Sequence, residues 1–145
     1  MVNKKFVKQK IELIQKELVN LEKLSKFSFQ EIVSDFKKQA TIERLLERII
    51  NRAIDINQHL IAELSTGEME SPKDYTETFL RLADLEICPK EFIENISKSV
   101  STRNVLTHDY DDVDYSKIYS SIIDCLKDYH QYCGYILKFL EKVEE

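Results

Sequence analysis

TIERLLERIINRAIDINQHLIAEL, residues 41–64, is the stretch on which the fold turns. Ile42, Leu45, Leu46, Ile49, Ala53, Ile56, Leu60 and Leu64 recur mostly at steps of three and four, the period of an α-helix and not of a strand. They trace a broad apolar stripe that a helix can bury only against other helices. The remaining composition agrees: two glycines and two prolines in 145 residues leave few turns, and 32% charged with 43% hydrophobic residues suits long amphipathic helices.

Upstream, Phe6, Ile11, Ile14, Leu18, Leu21 and Leu24 keep one side apolar and predict a first helix over about residues 4–23. Ser28-Phe29-Gln30-Glu31 has the form of a capping box, so a new helical piece starts there and bends near Ser34. Downstream, Ser65-Thr66-Gly67 stops the central helix, with Gly67 a candidate left-handed cap. Ser71-Pro72 reads as N-cap and first position of a helix that carries Tyr75, Phe79, Leu80 and Leu82 and ends before Pro89. Pro89 opens a helix over 89–108 that turns Phe92, Ile96 and Val100 inward. Asp109, Asp111, Asp112 and Asp114 then form a polar break, and Asp114 caps a last helix whose Ile118, Ile122, Cys125, Tyr129, Tyr132, Ile136 and Phe139 share one side. The expected fold class is all-α: an antiparallel four-helix bundle with an extra short helix, in one domain spanning residues 1–145. A chain of this size buries roughly 70% of its unfolded surface and holds a core without staples. Gly134, inside the last helix, suggests a close helix crossing, either within the chain or between chains.

Net charge is −5, which argues against coating nucleic acid by bulk electrostatics and leaves only local binding. Residues 1–26 hold seven lysines and three glutamates, whereas 109–145 hold nine acids and four lysines, an asymmetry that solvated helix faces explain. Cys88, Cys125 and Cys133 form no C-x-x-C pair, so neither a disulfide framework nor a zinc knuckle is expected. With no H-E-x-x-H string and with His59, His108 and His130 scattered, no metal site and no cofactor are expected. The charged N-terminus resembles neither a signal peptide nor a membrane span, which places the chain in the cytoplasm.

The segment RNVLTHDY, residues 103–110, packs Arg103, Asn104, His108 and Tyr110 into eight positions near a helix end. On an ideal helix Asn104 and His108 share one face, and Arg103 and Tyr110, seven apart, share another. Together they suit RNA transesterification without a metal: a base removes the 2′-hydroxyl proton while a cation stabilises charge growing on phosphorus. Imidazoles titrate near neutral pH, and an arginine fork matches phosphate oxygens. The structural alternative is that Arg103 pairs with an acid, His108 caps the helix and Tyr110 packs between helices.

This segment resembles the R-N-x-L-x-H-x-Y form of the R-x4-H-x-Y signature of HEPN-domain HepT toxins. ERIINRAIDINQHLI (residues 47–61), SPKDYTETF (71–79) and PKEF (89–92) resemble that family's successive helices in the same order. The resemblance implies a ribonuclease toxin that forms a homodimer, with two R-x4-H segments facing across a composite cleft, cutting tRNA or mRNA independently of metal. Arg103 and His108 become its catalytic pair and Asn104 a supporting residue that orients histidine or phosphate. Tyr110 matches the tyrosine to which the partner antitoxin, a minimal nucleotidyltransferase called MntA, adds AMP. Thr107 departs from the small apolar residue usual before the histidine, a matter of packing. Asp55 and His59 match the family's D-I-x-x-H-L portion as supporting residues, either orienting substrate or holding the bundle together. The alternative function is a non-catalytic helical module that binds substrate or partner for a neighbouring nucleotidyltransferase; a structural protein that merely dimerises is a third. The joint presence of a cation and a base favours the enzyme.

Overall fold

The computed structural model describes residues 1–143, in seven α-helices and one 3-10 turn. Helix α1 (Lys4–Ser25) runs antiparallel to the 29-residue α3 (Phe36–Leu64): Asn3 meets His59, Lys10 meets Asp55, and Glu17 meets Arg48 and Arg52. Between them, α2 (Phe29–Val33) starts at the expected capping box, where Glu31 N–H donates to Ser28 Oγ at 3.2 Å and Ser28 N–H to Glu31 Oε1 at 3.0 Å. Asp35 then caps α3, its Oδ1 accepting from the backbone of Lys37 and Lys38, so the central helix begins five residues before position 41. The last helix, α7 (Tyr115–Glu141), is capped by Asp114 as expected and runs parallel to α3: Tyr115 reaches Glu43, and Tyr132 reaches Ala53 and Asn57. Helices α5 (Lys90–Ile96) and α6 (Ser99–His108) fill the fourth position, antiparallel to both, with α4 (Tyr75–Asp84) leading into them. An antiparallel four-helix bundle with extra short helices results.

Its core is a single cluster in which Ile11, Ile14, Leu46, Ile49, Ile56, Leu60, Phe79, Tyr129, Tyr132 and Ile136 are all but inaccessible to solvent. Burying a side chain of that size is worth about 1.5–3 kcal/mol, so the stripes on α1, α3 and α7 hold the bundle together. Phe79, Tyr129 and Tyr132 pack edge-on or tilted, with ring centroids 5.8–6.5 Å apart. The two tyrosine hydroxyls are satisfied. Tyr132 donates to Asn57 Oδ1 at 2.6 Å, and Asn57 donates on to Thr78 Oγ1, linking α7, α3 and α4 through one buried chain. Tyr129 bonds Ser99 at 2.7 Å. Cys88, Cys125 and Cys133 are free and buried; burial pushes the Cys88 and Cys133 thiols up to about 12, so both hold their protons at neutral pH. Among the described residues no helix is long and apolar enough to cross a membrane.

Three local expectations need correction, and a fourth is narrowed. The helix after residue 71 starts at Tyr75, because Asp74 accepts from Glu77 N–H at 2.9 Å while Glu77 reaches back to Lys73 N–H at 2.8 Å. That reciprocal cap outcompetes Ser71-Pro72. The helix over 89–108 is two helices, with Pro89 as N-cap of the first. Around residues 97–98 the bonding tightens to three-residue steps, Lys98 N–H to Asn95 and Val100 N–H to Ser97, while Ser97, Ser99 and Ser101 hydroxyls bond carbonyls three residues back. Gly67 has no positive φ, so it is not a left-handed cap; α3 ends on an extended Ser65. Nothing lies within 4 Å of a Cβ built on Gly134, which is exposed and marks no close crossing within the chain.

Candidate active site

Helix α6 carries three of the four residues of the R-x4-H-x-Y segment and lays them along a cleft against the start of α4. Its orientation is fixed by two anchors. Leu106 is buried in the core, and Thr107, the residue out of pattern, donates to Glu47 Oε2 of α3 at 2.8 Å. A hydroxyl therefore replaces apolar packing with a hydrogen bond between helices. Because Leu106 and Thr107 face inward, Asn104 and His108 turn to the cleft side, where Lys73 and Tyr75 join them; Arg103, four residues before Thr107, starts from the face toward α3 and its guanidinium reaches the cleft from there.

The arginine is held on three sides. Its Nε donates to Asn51 Oδ1 of α3 at 2.8 Å, its Nη1 donates to Asn104 Oδ1 at 3.1 Å, and its guanidinium carbon sits 5.0 Å from the centroid of the Tyr75 ring. A guanidinium has five N–H donors. Two are taken by these asparagines, so the outer Nη edge keeps donors for a bidentate anion. No acid pairs with Arg103 among the described residues. The cation is thus aimed by neutral partners, and Asp74 and Asp109, which also line the cleft, form no ion pair with it.

His108 is the last residue of α6 and is exposed. The helix stops there because Asp109 leaves helical geometry at φ −120°, ψ 37°, its N–H still bonding Val105 O at 2.9 Å. Among the described residues His108 makes no side-chain hydrogen bond, so its ring nitrogens stay available within the cleft. Asn104 bonds the arginine, not the histidine.

Tyr110 does not share a helical face with Arg103, since the helix ends two residues earlier and Tyr110 enters a 3-10 turn (Tyr110–Asp112) closed by Asp112 N–H on Asp109 O. It is 67% exposed and does not line the cleft, although Asp109 just before it does. Asp55 and His59 take no part in lining that cleft and do not bond each other. Asp55 pairs with Lys10 Nζ at 2.9 Å, and His59 Nε2 accepts from Asn3 N–H at 2.9 Å with its ring against Phe6. Both tie α1 to α3. Sequence reasoning missed Asn51 and Tyr75. Asn51 stands inside the ERIINRAIDINQHLI stretch as a polar residue in an otherwise apolar-striped helix, and that was the available signal. Among the described residues no three His, Cys, Asp or Glu side chains are grouped to hold a metal ion.

A family model described as Ribonuclease HepT-like matches residues 14–136. A tRNA nuclease HepT from Aphanizomenon flos-aquae is 35% identical over 141 residues, 96% of this chain and 92% of its own length. An mRNA nuclease HepT from Shewanella oneidensis is 26% identical over 102 residues, 70% of this chain and 74% of that one. Among solved structures, the tri-AMPylated Shewanella oneidensis HEPN toxin in complex with an MNT antitoxin superposes with a TM-score of 0.80 at 21% identity, covering 94% of this chain and 98% of that one. YutE, a cytosolic protein of unknown function from Bacillus subtilis, superposes at 0.83 and 16% identity, covering 97% and 92%. At such identities these structures speak for the fold alone. The family model and the 35%-identical relative span most of the sequence, bundle and cleft included, and the chain belongs to the HepT-like ribonuclease family.

Proposed function

We propose that this chain is the endoribonuclease toxin of a type VII toxin-antitoxin pair, active in the cytoplasm as a homodimeric single-domain protein that cuts tRNA or mRNA. Arg103 and His108 carry the reaction. His108 takes the proton from a ribose 2′-hydroxyl; the 2′-oxygen attacks the adjacent phosphorus; the bond to the 5′-oxygen breaks, and that oxygen picks up a proton. The outer Nη edge of Arg103 grips the non-bridging oxygens as charge builds on them. Asn104 and Asn51 hold that edge in place. The observation that carries this reading is the Arg103 geometry: a guanidinium pinned by two asparagine oxygens and a tyrosine ring, without an acid, opening on the cleft that His108 also lines. A module that only bound a partner would have no use for a cation so held beside a base.

The relatives named as tRNA and mRNA nucleases support RNA as the substrate class, and the AMPylated toxin in complex with an MNT antitoxin supports a regulator of the MntA kind; on this reading a nucleotidyltransferase adds AMP to Tyr110. Its exposed hydroxyl supports that role. The chemistry predicts products ending in a 2′,3′-cyclic phosphate and a 5′-hydroxyl, formed equally well in excess EDTA. End-group analysis of a cut RNA checks it; 5′-phosphate ends, or loss of cutting in EDTA and recovery with added divalent metal, would mean that water, not the 2′-oxygen, attacks.

A further inference from the structure

A second groove adjoins the cleft. Lys73, Asp74 and Tyr75 line both, so this short wall at the start of α4 has the Arg103 site on one side and the new groove on the other. Ile61 and Ala62 of α3 and Pro72 give the groove its apolar surface. One amide stands at its rim: Gln58 is exposed and makes no side-chain hydrogen bond among the described residues. Ser71, Lys73, Asp74 and Thr78 line it as well; Thr78 is engaged by Tyr75 O and Asn57, and Asp74 Oδ1 accepts from Glu77 N–H.

A slot with an apolar wall, an unengaged amide at its rim and an aromatic ring on the wall that it shares with the Arg103 cleft has the makings of a nucleobase site. Stacking and apolar contact supply affinity to any base, and an amide can bond a base edge through both its donor and its acceptor. We propose that the groove lined by Gln58, Ile61, Ala62, Pro72 and Tyr75 receives the base next to the phosphate held by Arg103, and sets the base preference there. The proposal rests on the reading of the Arg103 cleft as the site of cleavage. Continuity favours RNA over a protein side chain as occupant, since a strand whose phosphate sits at Arg103 has its neighbouring base within reach of the shared wall.

The test uses the full chain and a single-stranded oligoribonucleotide spanning a mapped cut site, intact or made abasic on either side of the cut. Wild-type kcat/KM should fall about 5- to 150-fold for one of the two abasic strands, the range of base-stacking contributions. Ala62→Trp, at an exposed helical position, fills the groove; it should lose a similar factor on the intact strand and lose nothing further on the abasic one. Gln58→Ala should flatten the preference among the four bases at that nucleotide, and it serves as the readout should Ala62→Trp fail to show wild-type circular dichroism. Indifference of the wild type to both abasic strands would overturn the proposal, as would an Ala62→Trp protein that discriminates as the wild type does. A variant that cuts every strand normally but resists AMP addition would give the groove to the nucleotidyltransferase instead. A His108→Ala protein that still cuts would bring down the catalytic reading alone, because the abasic comparison reports base contact whichever group takes the proton.

Discussion

Arg103 sits half-buried with two of its donors engaged, whereas Tyr110, seven residues on, is exposed in a turn outside the helix. Their environments separate their roles. The first is built into the cleft through Asn51, Asn104 and Tyr75; the second is offered to whatever approaches from solvent. AMP on the Tyr110 oxygen would add a phosphate and a purine one residue beyond Asp109, which lines the cleft, and Arg103 would attract the first while the second takes up room. Tyr110→Phe removes the acceptor oxygen but keeps the ring, so the variant should still cut RNA and gain no AMP from the nucleotidyltransferase and ATP. Intact-mass measurement checks this; AMP-sized additions persisting on the Phe protein would move the modified site elsewhere. Of these residues, Arg103, Asn104, His108 and Tyr110 were legible because they crowd into one short string. Asn51 and Tyr75 were not, since a partner from a distant helix becomes visible only when the bundle brings α3 and α4 against α6.

At the scale of elements, the long amphipathic helices were readable because burial repeats every turn along them. The ends were harder, as they rest on single side chains in competition. Asp74 with Glu77 displaces Ser71, and the serines at 97, 99 and 101 divide a helix that apolar periodicity alone would have carried through. That division lets α5 and α6 follow α7 with separate contacts, one of which is unusual: Asn95 donates to Asp128 at 3.1 Å, and Asp128 is only 9% exposed. Burial, helped by the charge of Asp124, raises the Asp128 pKa, against the opposing pull of Lys127 and of the Asn95 bond. A carboxylate whose folded pKa is raised gives its stability at low pH and loses it as pH climbs through the folded value. Asp128→Asn keeps an acceptor for Asn95 without the charge. Its Tm should exceed that of the wild type by about 2–4 °C at pH 7.5, the scale of a 1 kcal/mol change in a chain of this size, and the gap should close near pH 4. Equal melting at both pH values would mean that Asp128 is ionised without penalty.

The whole molecule has a negative net charge, yet its proposed task is to hold RNA. The cleft itself is mixed, with Lys73, Arg103 and His108 lining it beside the carboxylates of Asp74 and Asp109, so RNA binding rests on the donors of Arg103 rather than on a broad positive field. The cleft lies at the surface of one chain, and two copies related by a two-fold axis near α6 would make it composite. Light scattering at micromolar concentration, without antitoxin, should therefore give twice the 17.1 kDa chain mass; a monomer would contradict the composite site. The central claim is that Arg103 and His108 do the chemistry, and it is tested most directly by the single-turnover cleavage rate of Arg103→Ala and His108→Ala in EDTA. Each should fall by about 100- to 10,000-fold with wild-type helical content and melting. Cleavage at the wild-type rate by either folded variant would contradict it.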